Sequence, residues 1–147
     1  MGLFQAFNIS ASGMTAQRFR TDIIAENIAN VNTTRKSGED PYCRKIVTFR
    51  EKNVTPFSQF FSTSKNPAIG NGVKVTRVFE DHSTDFIKEY DPAHPDADED
   101  GYVYYPNVNT VVEMTDLIDA QRSYEANATA FEASKNMAKF GLSIGQS

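Results

Sequence analysis

The run Asp96-Ala97-Asp98-Glu99-Asp100-Gly101 has the residue types and spacing that come nearest to chemistry. Carboxylates at the first, third and fifth positions and glycine at the sixth match the start of an EF-hand calcium loop, where alternating oxygens wrap a hard cation. The twelfth position of such a loop is a bidentate glutamate, and here it is Asn107. Pro92 and Pro95 oppose the helix that must precede the loop. The run therefore reads as a solvated acidic turn. Calcium titration with Asp98→Ala as control would reveal a calcium-dependent protein.

Other candidates reduce to ordinary roles. His82 and His94 stand twelve residues apart among acidic neighbours, without HExxH or similar ligand spacing, and read as surface histidines. Cys43 is the only cysteine, so neither an internal disulfide nor a cysteine metal cluster is expected. No G-x-S-x-G elbow, P-loop or G-x-G-x-x-G occurs, so no catalytic residue, cofactor, metal or small-molecule ligand is expected. Tyr102-Val103-Tyr104-Tyr105 could stack on bases, but the acidic run before it repels a phosphate backbone, and a packed strand is the expectation.

Composition sets the same bounds. A chain of 147 residues with net charge −4 and no basic run is expected to bind no nucleic acid. No apolar stretch approaches the roughly 20 residues that span a bilayer, and no cleavable-signal pattern opens the chain. Membrane insertion is not expected. These features fit a cytosolic protein or one exported without a cleaved signal.

The expected fold is mainly α with a β insert: long N- and C-terminal helices packed as a coiled-coil-like pair, and a small antiparallel hairpin region between them. From Leu3 to Val31 there is no proline, and Phe19, Ile23, Ile24, Ile28 and Val31 recur at three- and four-residue spacings that line one helix face. Gly13 costs this helix up to about 1 kcal/mol relative to alanine, so its first ten residues are expected to fray or to order on docking. The second helix should begin near Asn109 or Thr110, where Thr110-Val111-Val112-Glu113 has capping-box order, and Gly141 and Gly145 supply stops. Glu113, Asp116 and Asp119 suit its positive N-terminal end; Lys135 and Lys139 suit its other end. Leu117, Tyr124, Phe131 and Ala138 recur every seven residues, with Met114, Gln121, Ala128 and Leu142 between them, as a seam interrupted by Lys135.

Between the helices, period-two patterns predict strands over Tyr42 to Phe49, Val73 to Phe79, Ser83 to Tyr90 and Tyr102 to Tyr105. Pro41, Pro56, Pro67, Gly70, Gly72, Pro92 and Pro95 punctuate them. The expected divisions are 1–36 for the first helix of an inner helical domain, 37–106 for the β-rich insert, and 107–147 for the second helix. At 1.5 Å per residue the helices would be about 43 and 50 Å long, which suggests rods packed side by side.

The end of the first helix is rich in asparagine: Asn27-Ile28-Ala29-Asn30-Val31-Asn32-Thr33-Thr34. Asparagine suits a helix end that turns into extended chain. Together with Ser10-Ala11-Ser12-Gly13-Met14-Thr15-Ala16-Gln17, this string resembles the N-terminal signature of bacterial flagellar rod and hook proteins. Pro41-Tyr42, Asp91 to Asp98, Gly101-Tyr102-Val103, Tyr105 to Asn109 and Ala120 to Asn127 extend the resemblance over most of the chain, toward the proximal-rod members; residues 52–70 carry least of it.

That resemblance implies a non-enzymatic structural subunit of the flagellar basal-body rod, in the periplasm or cell envelope. It would pass unprocessed through the flagellar type III export apparatus and assemble with other rod proteins and further copies of itself into a helical tube that transmits torque and passes exported subunits. The expected subunit interface is Phe19, Ile23, Ile24, Ile28, Val31, Met114, Leu117, Tyr124, Ala128, Phe131, Ala138 and Leu142, with Asn27, Ile28, Ala29, Asn30, Asn32 and Thr33 as signature. The residues alone also allow an adaptor or ligand-binding module with helical dimerisation ends.

Overall fold

The computed structural model describes residues 3–34, 40–52 and 70–145. Pro56, Pro67 and the boundary expected at residues 36 and 37 lie outside them.

Helix α1 spans Leu3–Ala29 without a break at Gly13. At its end the Glu26 carbonyl accepts the Asn30 N–H at 3.1 Å, an ordinary helical bond, and also the Asn30 side-chain amide at 2.9 Å. The next bond, Val31 N–H to the Ile28 carbonyl, tightens to a three-residue step at 3.3 Å. Helix α2 spans Thr110–Ile144. Its cap corrects the capping-box expectation. Asn109 Oδ1 accepts the Val111 and Val112 N–H groups at 3.0 and 3.3 Å, so Asn109 holds the cap and leaves Glu113 free to turn inward. Gly141 lies inside the helix, contrary to its expected role as a stop, and Gly145 follows the last turn.

The insert forms two two-stranded ribbons: β1 (Lys45–Glu51) with β2 (Val73–Glu80), and β3 (Ile87–Tyr90) with β4 (Tyr102–Tyr105). Asp81 N–H donates to the Arg44 carbonyl at 2.8 Å and Lys52 N–H to the Gly72 carbonyl at 2.9 Å, which runs β1 and β2 antiparallel. β3 and β4 are antiparallel with Ile87 opposite Tyr105 and Tyr90 opposite Tyr102. Two expected strands are shorter than their patterns. Tyr42 to Arg44 are not strand, and Ser83 to Phe86 are not either: Ser83 and Thr84 form a bend, where Asp81 takes the Ser83 N–H (3.0 Å) and both the Ser83 and Thr84 hydroxyls.

Two compact units divide the described chain. In the unit drawn from 1–19, 48–76 and 120–147, α1 and α2 run antiparallel, with Phe7 packed on Phe131 at 5.0 Å between ring centroids. Their buried residues are small: Ser10, Ala16, Ala120 and Ser134. Gly13 extends this logic, since a Cβ there would stand 2.7 Å from Asn127 Oδ1 and 2.9 Å from its Cγ. The glycine expected only to weaken α1 is a point at which a side chain of α2 presses on its backbone. Gly72, at φ +88°, meets α1 in the same way: its missing Cβ leaves room for the Ser12 hydroxyl, which accepts the Val73 N–H at 3.0 Å.

In the unit drawn from 20–47 and 77–119, Ile24, Val103 and Val108 are buried. Antiparallel helices meet here too, through Asn27 on α1 and Glu113 on α2.

Candidate functional site

Two of the most enclosed side chains of the second unit are polar, beside Val103 and Pro106. Asn27 and Glu113 are each 1% exposed. Burial of such groups is tolerated only when their bonds are complete, and Asn27 completes all four. Its Oδ1 accepts the Tyr42 hydroxyl (2.9 Å) and the Lys45 N–H (3.0 Å); its Nδ2 donates to the Lys45 carbonyl (2.9 Å) and to Glu113 Oε2 (3.1 Å). The amide thus occupies both backbone groups of Lys45, as a neighbouring strand would. Glu113 Oε1 accepts Arg44 Nε at 2.7 Å. Arg44 Nη2 also approaches Asp116 Oδ2 (3.7 Å), and Arg20 Nη2 pairs with Asp116 Oδ1 (3.3 Å).

A second asparagine serves the other side of the same chain segment. Asn107 Oδ1 accepts the Arg44 N–H at 2.8 Å, while its Nδ2 donates to the carbonyls of Asp81 (2.6 Å) and Thr84 (3.1 Å). Two buried amides therefore fasten the entry to β1 to the end of α1, the start of α2 and the turn after β2. Lys45 pairs with Glu26 at the edge of this junction.

Protonation follows the geometry. Burial first, then the negative fields of Glu26 and Glu113, push the Tyr42 phenol up to about 12. Hydroxyl donation from Ser83, then from Thr84, holds the Asp81 carboxyl down to about 2. Burial, then Glu80 and Asp81, raises the Cys43 thiol, whose sulfur donates to the Asp81 carbonyl at 3.2 Å. A thiol held protonated is a poor nucleophile, although His82 Nδ1 lies 3.7 Å away. The bonds of the junction fix backbone.

The acidic run connects β3 to β4. Gly101 turns it at φ +81°, its N–H donating to the Asp98 carbonyl (2.9 Å), and Asp98 N–H donates to the Tyr102 carbonyl (2.9 Å). Asp96 Oδ2 accepts the Thr34 hydroxyl at 2.7 Å. Among the described residues no three His, Cys, Asp or Glu side chains converge on a metal-sized point. No described helix is long and apolar enough to cross a membrane.

The expected interface residues fall into three groups. Ile24 is buried, and Ile23, Ile28, Val31, Leu117, Ala128, Phe131 and Ala138 are half-buried. Phe19, Met114, Tyr124 and Leu142 are exposed, as is Gln121. Along α2 the row turned inward is Glu113, Ala120, Asn127 and Ser134, also seven apart; Leu117, Tyr124, Phe131 and Ala138 run beside it. The inward row is thus small and polar, while Phe131 of the row beside it packs on Phe7 and Tyr124 stays exposed. Of the signature, Asn27 is the centre of the junction, Asn30 ends α1, and Ala29, Asn32 and Thr33 are exposed. Asn27 read from sequence as part of a helix stop. The signal for its inner role was its place three and four residues after Ile24 and Ile23, on their face. Arg44, Asn107 and the inward Glu113 gave no such signal, because their partners lie 63 and 69 residues apart.

Comparison with known proteins gives matches at both ends and over the whole length. Residues 7–35 match the family model described as flagella basal body rod protein, and 99–144 match flagellar basal body rod FlgEFG protein C-terminal. The chain is 44% identical to the flagellar basal-body rod protein FlgC of Borreliella burgdorferi, with 99% of each chain covered. It is 45% identical to that of Bacillus subtilis over 99% of this chain and 100% of the relative. Identity to the protein of the same name from Escherichia coli O157:H7 is 36%, over 99% and 100%.

Proposed function

This chain belongs to the family of the flagellar basal-body rod protein FlgC and is a structural subunit of that rod, and we propose that it builds the rod by offering the outward faces of its helices to neighbouring subunits. One observation carries this. α2 turns Glu113, Ala120, Asn127 and Ser134 inward while Val111, Met114, Ile118, Tyr124, Met137 and Phe140 stay exposed. Exposed apolar area on this scale marks a surface that another molecule covers. At ~25 cal/mol per Å2 of apolar surface removed from water, contacts of ~800 Å2 per partner are strongly favourable before association entropy is subtracted.

In this reading the buried junction fixes the end of α1, the start of α2 and the entry to β1 within its unit, so that each copy presents the same faces there. The partners are other rod proteins and further copies of the chain, arranged as a helical tube that transmits torque and passes exported subunits. The chain reaches the envelope through the flagellar type III apparatus, unprocessed, and catalyses nothing. The expected interface residues other than the buried Ile24, with Phe19, Tyr124 and Leu142 foremost, are the contacts.

The test replaces the chain by Tyr124→Asp or Phe131→Asp in a motile strain lacking its own copy. Loss of rod assembly and of swimming is expected from both. Tyr124→Asp is the sharper variant, since Phe131 also supports the fold through Phe7. Normal swimming with Tyr124→Asp would refute the outward-face assignment.

A further inference from the structure

The two ends of α2 carry matching apolar strips in opposite electrostatic settings. Near its start Val111, Met114 and Ile118 lie at i, i+3 and i+7, one helix face, and each is half or more exposed. Val111 also lines a groove of about 510 Å3 with Val31, Ile87 and Tyr105, where Asn32 and Glu89 are polar members. Asn32 is the signature asparagine that the inner bonding leaves at the surface. Glu113 and Asp116 are neutralised by Arg44 and Arg20, but the β3–β4 segment 87–105, which supplies Ile87, Glu89 and Tyr105, carries six carboxylates against one lysine. At the other end Met137, Phe140 and Ile144 repeat the i, i+3, i+7 strip and are 65%, 71% and 76% exposed. Residues 133–144 hold two lysines and no acid.

We propose that the C-terminal end of α2 in one copy seats Met137, Phe140 and Ile144 on the Val111 strip and groove of a second copy. This rests on the rod-subunit reading and names one of its contacts. Apolar burial holds the pair, and the acidic hairpin steers the acid-free, lysine-bearing helix end toward it. The two surfaces differ, so the contact is head-to-tail: each copy gives one end and receives another, as an open helical array requires and a closed dimer does not.

The test uses full-length chains in a strain without the natural gene, with Cys43→Ser removing the native thiol. Val111→Cys and Phe140→Cys are placed on separate copies bearing different epitope tags and co-expressed. After oxidation of isolated basal bodies, a covalent dimer carrying both tags is expected, absent when either variant is expressed alone. Adding Lys135→Glu and Lys139→Glu to the second copy should lower its yield several-fold. Basal bodies that contain both variants but no mixed dimer would overturn the contact, as would a product joining the chain to a different rod protein. If the first pair is excluded from basal bodies, Ile118→Cys with Met137→Cys decides by the same outcomes. Absence of the unsubstituted chain from basal bodies would instead defeat the rod reading itself.

Discussion

Asn27 sits at a point closed to water, where each of its four bonds replaces one that solvent supplies in the unfolded chain. Asn27→Ala strands the Lys45 N–H and carbonyl, the Tyr42 hydroxyl and one Glu113 oxygen, and should lower unfolding free energy by on the order of 3 kcal/mol. Asn27→Asp should cost more at neutral pH, because it sets a carboxylate against Glu113 Oε2 and the Lys45 carbonyl, and should recover as acid protonates it; urea unfolding at pH 7 and pH 5 separates the two. Tyr42 gives a pH prediction of the same direction, at the alkaline end. Its phenol is pushed up to about 12 in the folded chain against about 10 unfolded, so the native state holds the proton longer. Stability is then unaffected below pH 10 and falls as pH rises from 10 toward 12; this fall should be shallower in Tyr42→Phe, read from urea midpoints. None of this bonding was legible from sequence. Asn27 and Glu113 look like helix-end residues because helix ends are where Asn and Glu are locally favoured. Their actual partners are set by the folded path of the chain.

At the scale of elements, periodicity located both helices and all four strands, since apolar spacing of three to four or of two reflects burial directly. Boundaries moved where side chains competed with backbone, at Asn30 after α1 and at Asp81 before β3, whereas α2 starts at Thr110 as expected, with Asn109 as its cap. Gly13 was the clearest misjudgement, because helix propensity counts the flexibility of glycine and is blind to the neighbour its missing Cβ admits. Gly13→Ala should therefore destabilise the chain despite alanine's advantage of about 1 kcal/mol in a helix. With Asn127→Ala in place, the same substitution should stabilise. Thermal unfolding of the four chains closes this cycle, and additivity would show that Gly13 and Asn127 do not touch.

At the scale of the whole molecule, polar and small side chains do much of the fixing of the chain's own elements, while many large apolar ones along α2 are left for others. The sequence pattern announced apolar seams without saying which neighbour covers them, because a helix face buried by its own chain and one buried by another copy obey the same period. A cryo-EM map of the intact basal body resolves that directly. It should place this chain in the rod with Val111, Met114, Ile118, Met137 and Phe140 covered by neighbouring subunits, and with Asn27 and Glu113 paired inside each copy. A rod in which those apolar side chains face solvent, or in which Asn27 and Glu113 separate to bond neighbours, would contradict the account.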